Sequence, residues 1–119
     1  MDKNELKLRT KNFALRVYNL INSLPNTIAG RKVADQLFRS ATSVAANYRA
    51  VCRGRSAAEF KSKLHIVLEE ADESEFWLEF IIDAKLLDEK QIVPLLKEAN
   101  ELTAIFAKSY YTLSTQNKS

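Results

Sequence analysis

Apolar residues return every three or four positions along most of this chain, and four stretches hold that period long enough to predict helices. The first covers about residues 4–23. It places Leu6, Phe13, Val17, Leu20, Ile21 and Leu24 within roughly 100° of one another on a helical wheel. The second, about 31–53, carries a stripe of Val33, Leu37, Ala41, Val44, Tyr48 and Val51. The third, about 56–86, aligns Phe60, Leu64, Val67, Leu68, Ala71, Leu78, Ile81 and Ile82. The fourth, about 89–114, aligns Ile92, Leu95, Leu96, Ala99, Leu102, Phe106, Tyr110 and Leu113.

The breaks between these stretches are Leu24-Pro25-Asn26 followed by Gly30, Gly54 followed by Ser56, and Asp88 followed by Pro94. Ser56 with Glu59 has the spacing of a capping box, and Asp88 with Gln91 has it again. Pro94 limits how regular the first turn of the last helix can be. Gln116-Asn117-Lys118-Ser119 reads as a frayed tail. Short connections between long amphipathic helices favour antiparallel neighbours. The prediction is an all-α protein, one domain over 1–119, folded as an antiparallel up-down-up-down four-helix bundle.

Composition supports this reading. With two Gly and two Pro in 119 residues, the turn residues an all-β chain needs every ten positions or so are missing. The lone Cys52 cannot close an internal disulfide, and the first residues lack the basic-then-apolar order of a signal peptide. No apolar run reaches membrane-spanning length. The expectation is a cytoplasmic protein without a membrane partner.

Charge changes the picture more. The net +3 hides an asymmetry. Residues 1–63 hold 13 Lys/Arg against 4 Asp/Glu, a net +9, and residues 64–119 hold 5 Lys against 11 Asp/Glu, a net −6. All seven arginines lie at or before Arg55. Such a split points to surfaces of opposite sign.

Catalytic chemistry is poorly represented. A nucleophile needs a base within reach, and the sole histidine, His65, sits in mid-helix beside Lys61 and Glu69, where a solvated surface position is expected. One Cys and one His cannot build a zinc site. The di-iron site of helical bundles needs Glu-x-x-His on two helices; here Ser62 stands three before the only His. There is no Gly-rich phosphate loop. The expectation is a non-enzyme with no cofactor and no metal.

Three features are candidates for function. Opposite the core stripe of the third helix lie Ile66, Phe76, Trp77 and Phe80, interleaved with Glu69, Glu73 and Asp83. These residues either contact helices 1 or 4 internally or form a subunit interface, where aromatics are enriched; the interface is the expectation. Arg31, Lys32, Arg39, Arg49 and Arg53 share an arc of roughly 100° on the second helix, and Arg55 follows in the loop. That stripe fits nucleic-acid phosphates, the acidic half of another copy, or pairing inside the chain. The small-residue run Ser40–Ala46 permits close helix approach. Ser43 and Asn47, four apart, could form a buried polar network, with ordinary close packing as the alternative.

The run Arg39-Ser40-Ala41-Thr42-Ser43-Val44-Ala45-Ala46-Asn47-Tyr48-Arg49, then Arg53-Gly54-Arg55-Ser56 and Glu59-Phe60, resembles the 23S rRNA intervening-sequence protein family. Glu69-Glu70-Ala71-Asp72-Glu73 with Trp77-Leu78-Glu79 is similar to its third helix, and Leu95-Leu96-Lys97-Glu98-Ala99-Asn100-Glu101-Leu102 to its fourth. The resemblance spans roughly residues 5–113. It implies a bundle assembling as a homo-oligomeric ring of five, with nucleic acid or another protein as candidate partner. It also implies kinship with the accessory protein of diversity-generating retroelements, a basic pentamer that binds a reverse transcriptase and nucleic acid. Relatives often carry Glu where this chain has Ala50. Together these readings predict a self-associating helical adaptor or scaffold, with an RNA- or DNA-binding accessory protein as the alternative.

Overall fold

Each of the four helices begins where a short polar side chain can take a free backbone N–H. In the computed structural model, which describes residues 1–116, α1 spans Lys3–Ile21 and is capped by Asp2, whose Oδ1 accepts from the Glu5 N–H at 2.8 Å. Helix α2 spans Ile28–Val51, and Thr27 Oγ1 accepts from the Gly30 N–H at 3.0 Å. Helix α3 spans Ala57–Asp83 behind Ser56, which accepts from the Glu59 N–H at 3.1 Å. Helix α4 spans Glu89–Gln116, with Asp88 accepting from the Lys90 N–H at 3.1 Å.

Several boundaries differ from the sequence expectation for local reasons. Helix α2 starts at Ile28 rather than 31, because Thr27 supplies a cap upstream of Gly30. Gly30 is therefore inside the helix, and its role is steric. A β-carbon there would lie 2.0 Å from the Pro25 carbonyl oxygen, so the α1–α2 connection can fold onto α2 only over a bare glycine. Glu59 bonds back to the Arg55 N–H, at 3.4 Å, so only the Ser56 half of the expected capping box forms. Helix α3 ends at Asp83 rather than 86. Lys85 adopts a left-handed φ of 57°, its N–H donates to the Ile82 carbonyl, and the Leu86 N–H donates to Ile81. That is a Schellman closure with lysine where glycine is usual. Helix α1 closes at Ile21 rather than 23, while α4 runs unbroken through Pro94. Of the expected tail, Gln116 ends α4 and Asn117–Ser119 lie outside the described residues.

The helices form a four-helix bundle about 49 Å long, in which α1 touches α2, α2 touches α3, α3 touches α4, and α1 closes the circuit on α4. Cross-helix pairs run in opposite senses. On α1 and α2, Lys7 and Lys11 line one groove with Arg49 while Tyr18 meets Phe38. On α2 and α3, Ser40 meets Ser74 in mid-helix while the Gly54 end lies beside Phe60. The core is built on the predicted stripes: Phe13, Val17, Leu37, Val44, Leu64, Val67, Leu78, Ile81, Ile92, Leu102 and Phe106 are almost fully buried, while the predicted Leu20, Ile21, Leu24, Phe60, Leu68, Ile82, Leu96, Tyr110 and Leu113 pack against it partly buried. Across its centre the Tyr48 and Phe106 rings lie 5.4 Å apart. Burial pushes the Tyr48 hydroxyl pKa well above its ordinary value. Truncating a phenylalanine so enclosed costs about 3–5 kcal/mol, so this layer fixes which helix faces are left outside.

Candidate interaction surfaces

Helix α3 is apolar on more of its circumference than one core needs. Its inward stripe buries Leu64, Val67, Ala71, Ser74, Leu78 and Ile81. On the other side Phe76, Phe80 and Ile66 stay 54%, 40% and 39% exposed. Trp77 divides the two: it packs partly against the core, and its ring meets Phe76 edge-on at 4.9 Å and Phe80 at 5.9 Å. Among the described residues its indole N–H is buried without a hydrogen-bond partner, so apolar packing alone holds the ring in place. The sequence left open whether these four residues pack internally or form an interface. Trp77 packs internally in part; the other three point to solvent.

Beside this patch Arg39 reaches from α2 to Glu70, at 3.2 Å, and to Glu73. The nearer Glu70 oxygen is ion-paired without a directed hydrogen bond. Burial raises the Glu70 carboxyl above its ordinary range, against the opposing pull of Arg39. Arg39 thus spends its charge inside the chain. The rest of the predicted basic stripe stands apart. Arg31, Lys32, Arg49, Arg53 and Arg55 are exposed, and none joins an ion pair among the described residues. Arg31 donates to the Asn26 amide oxygen at 3.0 Å.

Asn47 donates to the Ser43 hydroxyl at 2.8 Å and to the Ser43 carbonyl at 2.9 Å, and both residues are half-buried. The fully buried polar contact lies one turn away and went unread in the sequence. Ser74 Oγ lies 3.0 Å from Ser40 Oγ across the α2–α3 seam, and Ser40 donates to the Leu37 carbonyl. The signal was there: Ser40 and Ser74 sit in register with their core stripes, flanked by Leu37 and Val44, Ala71 and Leu78. His65 is half exposed, with Nε2 against the Glu69 carboxylate and its ring 5.0 Å from Tyr110.

A second outward apolar strip also escaped the sequence reading. Leu8, Leu15 and Tyr18 on α1 and Phe38 on α2 are exposed, with the Tyr18 and Phe38 rings 6.3 Å apart. Their spacing of seven and three residues along α1 marks one helix face, opposite the core stripe. Next to them runs a groove of about 510 Å³ between α1 and α2, floored by Leu8, Ala14, Ala45 and Ala46 and edged by Lys7, Lys11 and Arg49.

The family model of the 23S rRNA-intervening sequence protein matches residues 2–108, which is nearly all of the bundle. The chain belongs to that family. It is also similar to a crystal structure from Bacteroides thetaiotaomicron VPI-5482, described as a protein of unknown function from the S23 ribosomal protein family. The two share 32% identity over 87% of this chain and 96% of that one, with a TM-score of 0.80. No curated protein matches the chain. Membership in the 23S rRNA-intervening sequence family therefore accounts for the fold and assigns no chemistry to these surfaces. Among the described residues no helix is long and apolar enough to cross a membrane.

Proposed function

We propose that the protein is a non-enzymatic, self-associating helical adaptor that assembles into a closed ring of its own copies. The observation that carries this reading is the outer face of α3. Two large exposed rings, Phe76 and Phe80, flank a half-buried Trp77, and Ile66 is exposed about three turns nearer the start of a helix whose opposite side already fills the core. Contiguous exposed aromatics of this kind mark contact surfaces. The family resemblance supplies the number five.

Light scattering on a sizing column, at low and high salt, tests the reading. A mass near five subunits is the expected result. A single-subunit mass at protein concentrations on the order of tens of micromolar, where a specific assembly should hold together, overturns it.

One observation favours nucleic-acid binding as an accompanying role. Five exposed cations, Arg31, Lys32, Arg49, Arg53 and Arg55, have no carboxylate partner among the described residues. Phosphate contacts release counterions, so RNA or DNA affinity should fall steeply between low and moderate salt. Binding that ignores salt, or survives neutralisation of these five residues, refutes that role.

A further inference from the structure

The seam between α1 and α4 is left as an open groove. Two hollows of about 390 and 430 Å³ follow one another along it, and Arg16 borders both. Phe13, Leu20 and Leu95 give it an apolar floor, and three side-chain amides, Asn12, Asn19 and Gln91, stand on its rim. We infer that this groove docks an extended peptide segment of a partner protein, held through its main chain and through one aspartate or glutamate side chain on Arg16. The inference goes beyond self-association and does not depend on it.

Charge selects the acidic residue. Arg16 is exposed and makes no ion pair or hydrogen bond among the described residues. Glu98 borders the same hollow, but both of its oxygens already accept from Arg9, at 2.6 and 2.8 Å. Across the seam α4 offers Pro94 and Leu95, which cannot answer a charge. A guanidinium with its donors unspent beside an apolar wall suits a carboxylate carried on an apolar body.

The amides select a peptide among carboxylates. None of the three side-chain amides hydrogen-bonds to another described residue. Each offers both a donor and an acceptor, the pair that a peptide main chain repeats at every residue. Pro94 adds an acceptor beside them: it has no N–H, so the Lys90 carbonyl one turn back lacks its usual helical donor. A fatty acyl chain would cover these groups without answering them. Asn12 and Asn19 are seven residues apart on α1. That is about 10 Å along the helix, the reach of about three extended residues. Arg16 stands between them, so the acidic group belongs to a side chain in mid-segment rather than to a chain terminus.

The test presents the labelled full chain to arrays of capped octapeptides, random in sequence except for a central Glu, Gln or Lys. Retention is expected to concentrate on the Glu array. For the retained sequences, Arg16→Gln should weaken binding by about 10-fold or more, the scale of a lost charge-assisted hydrogen bond. Asn19→Ala with Gln91→Ala should weaken it too while keeping the preference for Glu over Gln. Arg49→Gln, outside the groove, should leave binding unchanged. All of these positions are exposed, and circular dichroism checks that each variant keeps the wild-type helix content and melting. Equal retention on the Glu and Gln arrays, no retention on any array, or an Arg16→Gln variant that binds like wild type overturns the inference. So does binding of decanoate that needs Arg16 while no peptide is retained, since the occupant is then an acyl carboxylate. Light scattering separates this site from self-association. Arg16→Gln should keep the wild-type mass, and a changed mass would place Arg16 between copies and overturn the peptide reading.

Discussion

Where α2 meets α3, two serine hydroxyls face each other at 3.0 Å in a fully buried layer, and the helices run close along most of their length. Where α1 meets α4, backbones approach closely at few points, and Arg9 reaches across from one helix to the other. Its guanidinium forks onto Glu98 at 2.6 and 2.8 Å and reaches Glu101 at 3.2 Å. Both seams share one apolar core, but the first adds a buried layer of small side chains and the second an ion pair at its part-exposed edge. The small residues of the first leave no slack for a larger side chain. The open second seam tolerates bulk but depends on an ion pair that salt and acid can weaken.

The largest expected effect comes from forcing bulk into the tight seam. Ser74→Leu should destabilise the bundle by about 1–3 kcal/mol through overpacking against Ser40. Thermal melting should fall by several degrees. Asn12→Leu, placed on the open α1–α4 side, should stay within about 0.5 kcal/mol of wild type. Equal losses at both positions would erase the distinction.

Removing Arg9 should come next. Arg9→Ala is expected to cost about 1 kcal/mol, the scale of a charge-assisted fork at a partly solvated site. A double-mutant cycle with Glu98→Gln should assign most of that loss to the pair, and high salt should shrink it.

Acid should move the two seams in opposite directions. The Arg9 hydrogen bonds hold the Glu98 carboxyl below its ordinary value of 4.5, so its contribution is complete above that value and is lost as pH falls through the lower, folded one. Glu70 belongs to the tight seam, and burial raises its carboxyl above 4.5. Its ionisation therefore opposes folding at neutral pH, and the penalty lifts as pH falls through the raised value toward 4.5. Chemical denaturation of wild type, Glu98→Gln and Glu70→Gln from pH 7 to 3 separates the slopes. Wild type should lose its advantage over Glu98→Gln at the acid end and gain on Glu70→Gln at milder acidity.

The smallest effect is expected for Ser40→Ala combined with Ser74→Ala. Removing both hydroxyls leaves neither unpaired, so the change should be a few tenths of a kcal/mol, well below that of Ser74→Leu.

Much of this architecture was legible because a helix writes its buried face into the sequence every three or four residues. The core stripes of all four helices, and the outward rings on α3, follow from that period alone. The Ser56 cap was equally readable, since its signal lies within four residues. Features that join distant segments were not. Nothing near Arg9 announces Glu98, 89 residues away, and the stripe rule discards Ser40 and Ser74 because it looks for apolar side chains. Gly30 was misread for a related reason. Its requirement is set by the Pro25 carbonyl folding over it, and local propensity suggested only a break. On the candidate surfaces, spacing found the basic stripe and the α3 patch but missed Leu8, Leu15, Tyr18 and Phe38, because α1 had already been given its inward face.

The contact between Gly30 and the Pro25 carbonyl has a genetic consequence. Every single-nucleotide missense change in a glycine codon installs a residue with a β-carbon. At codon 30 each such change therefore meets the same obstruction, whatever the chemistry of the rest of the side chain. Drift at this position is open only to lineages that first reshape the turn at 25–27, so changes in the turn should precede any loss of the glycine.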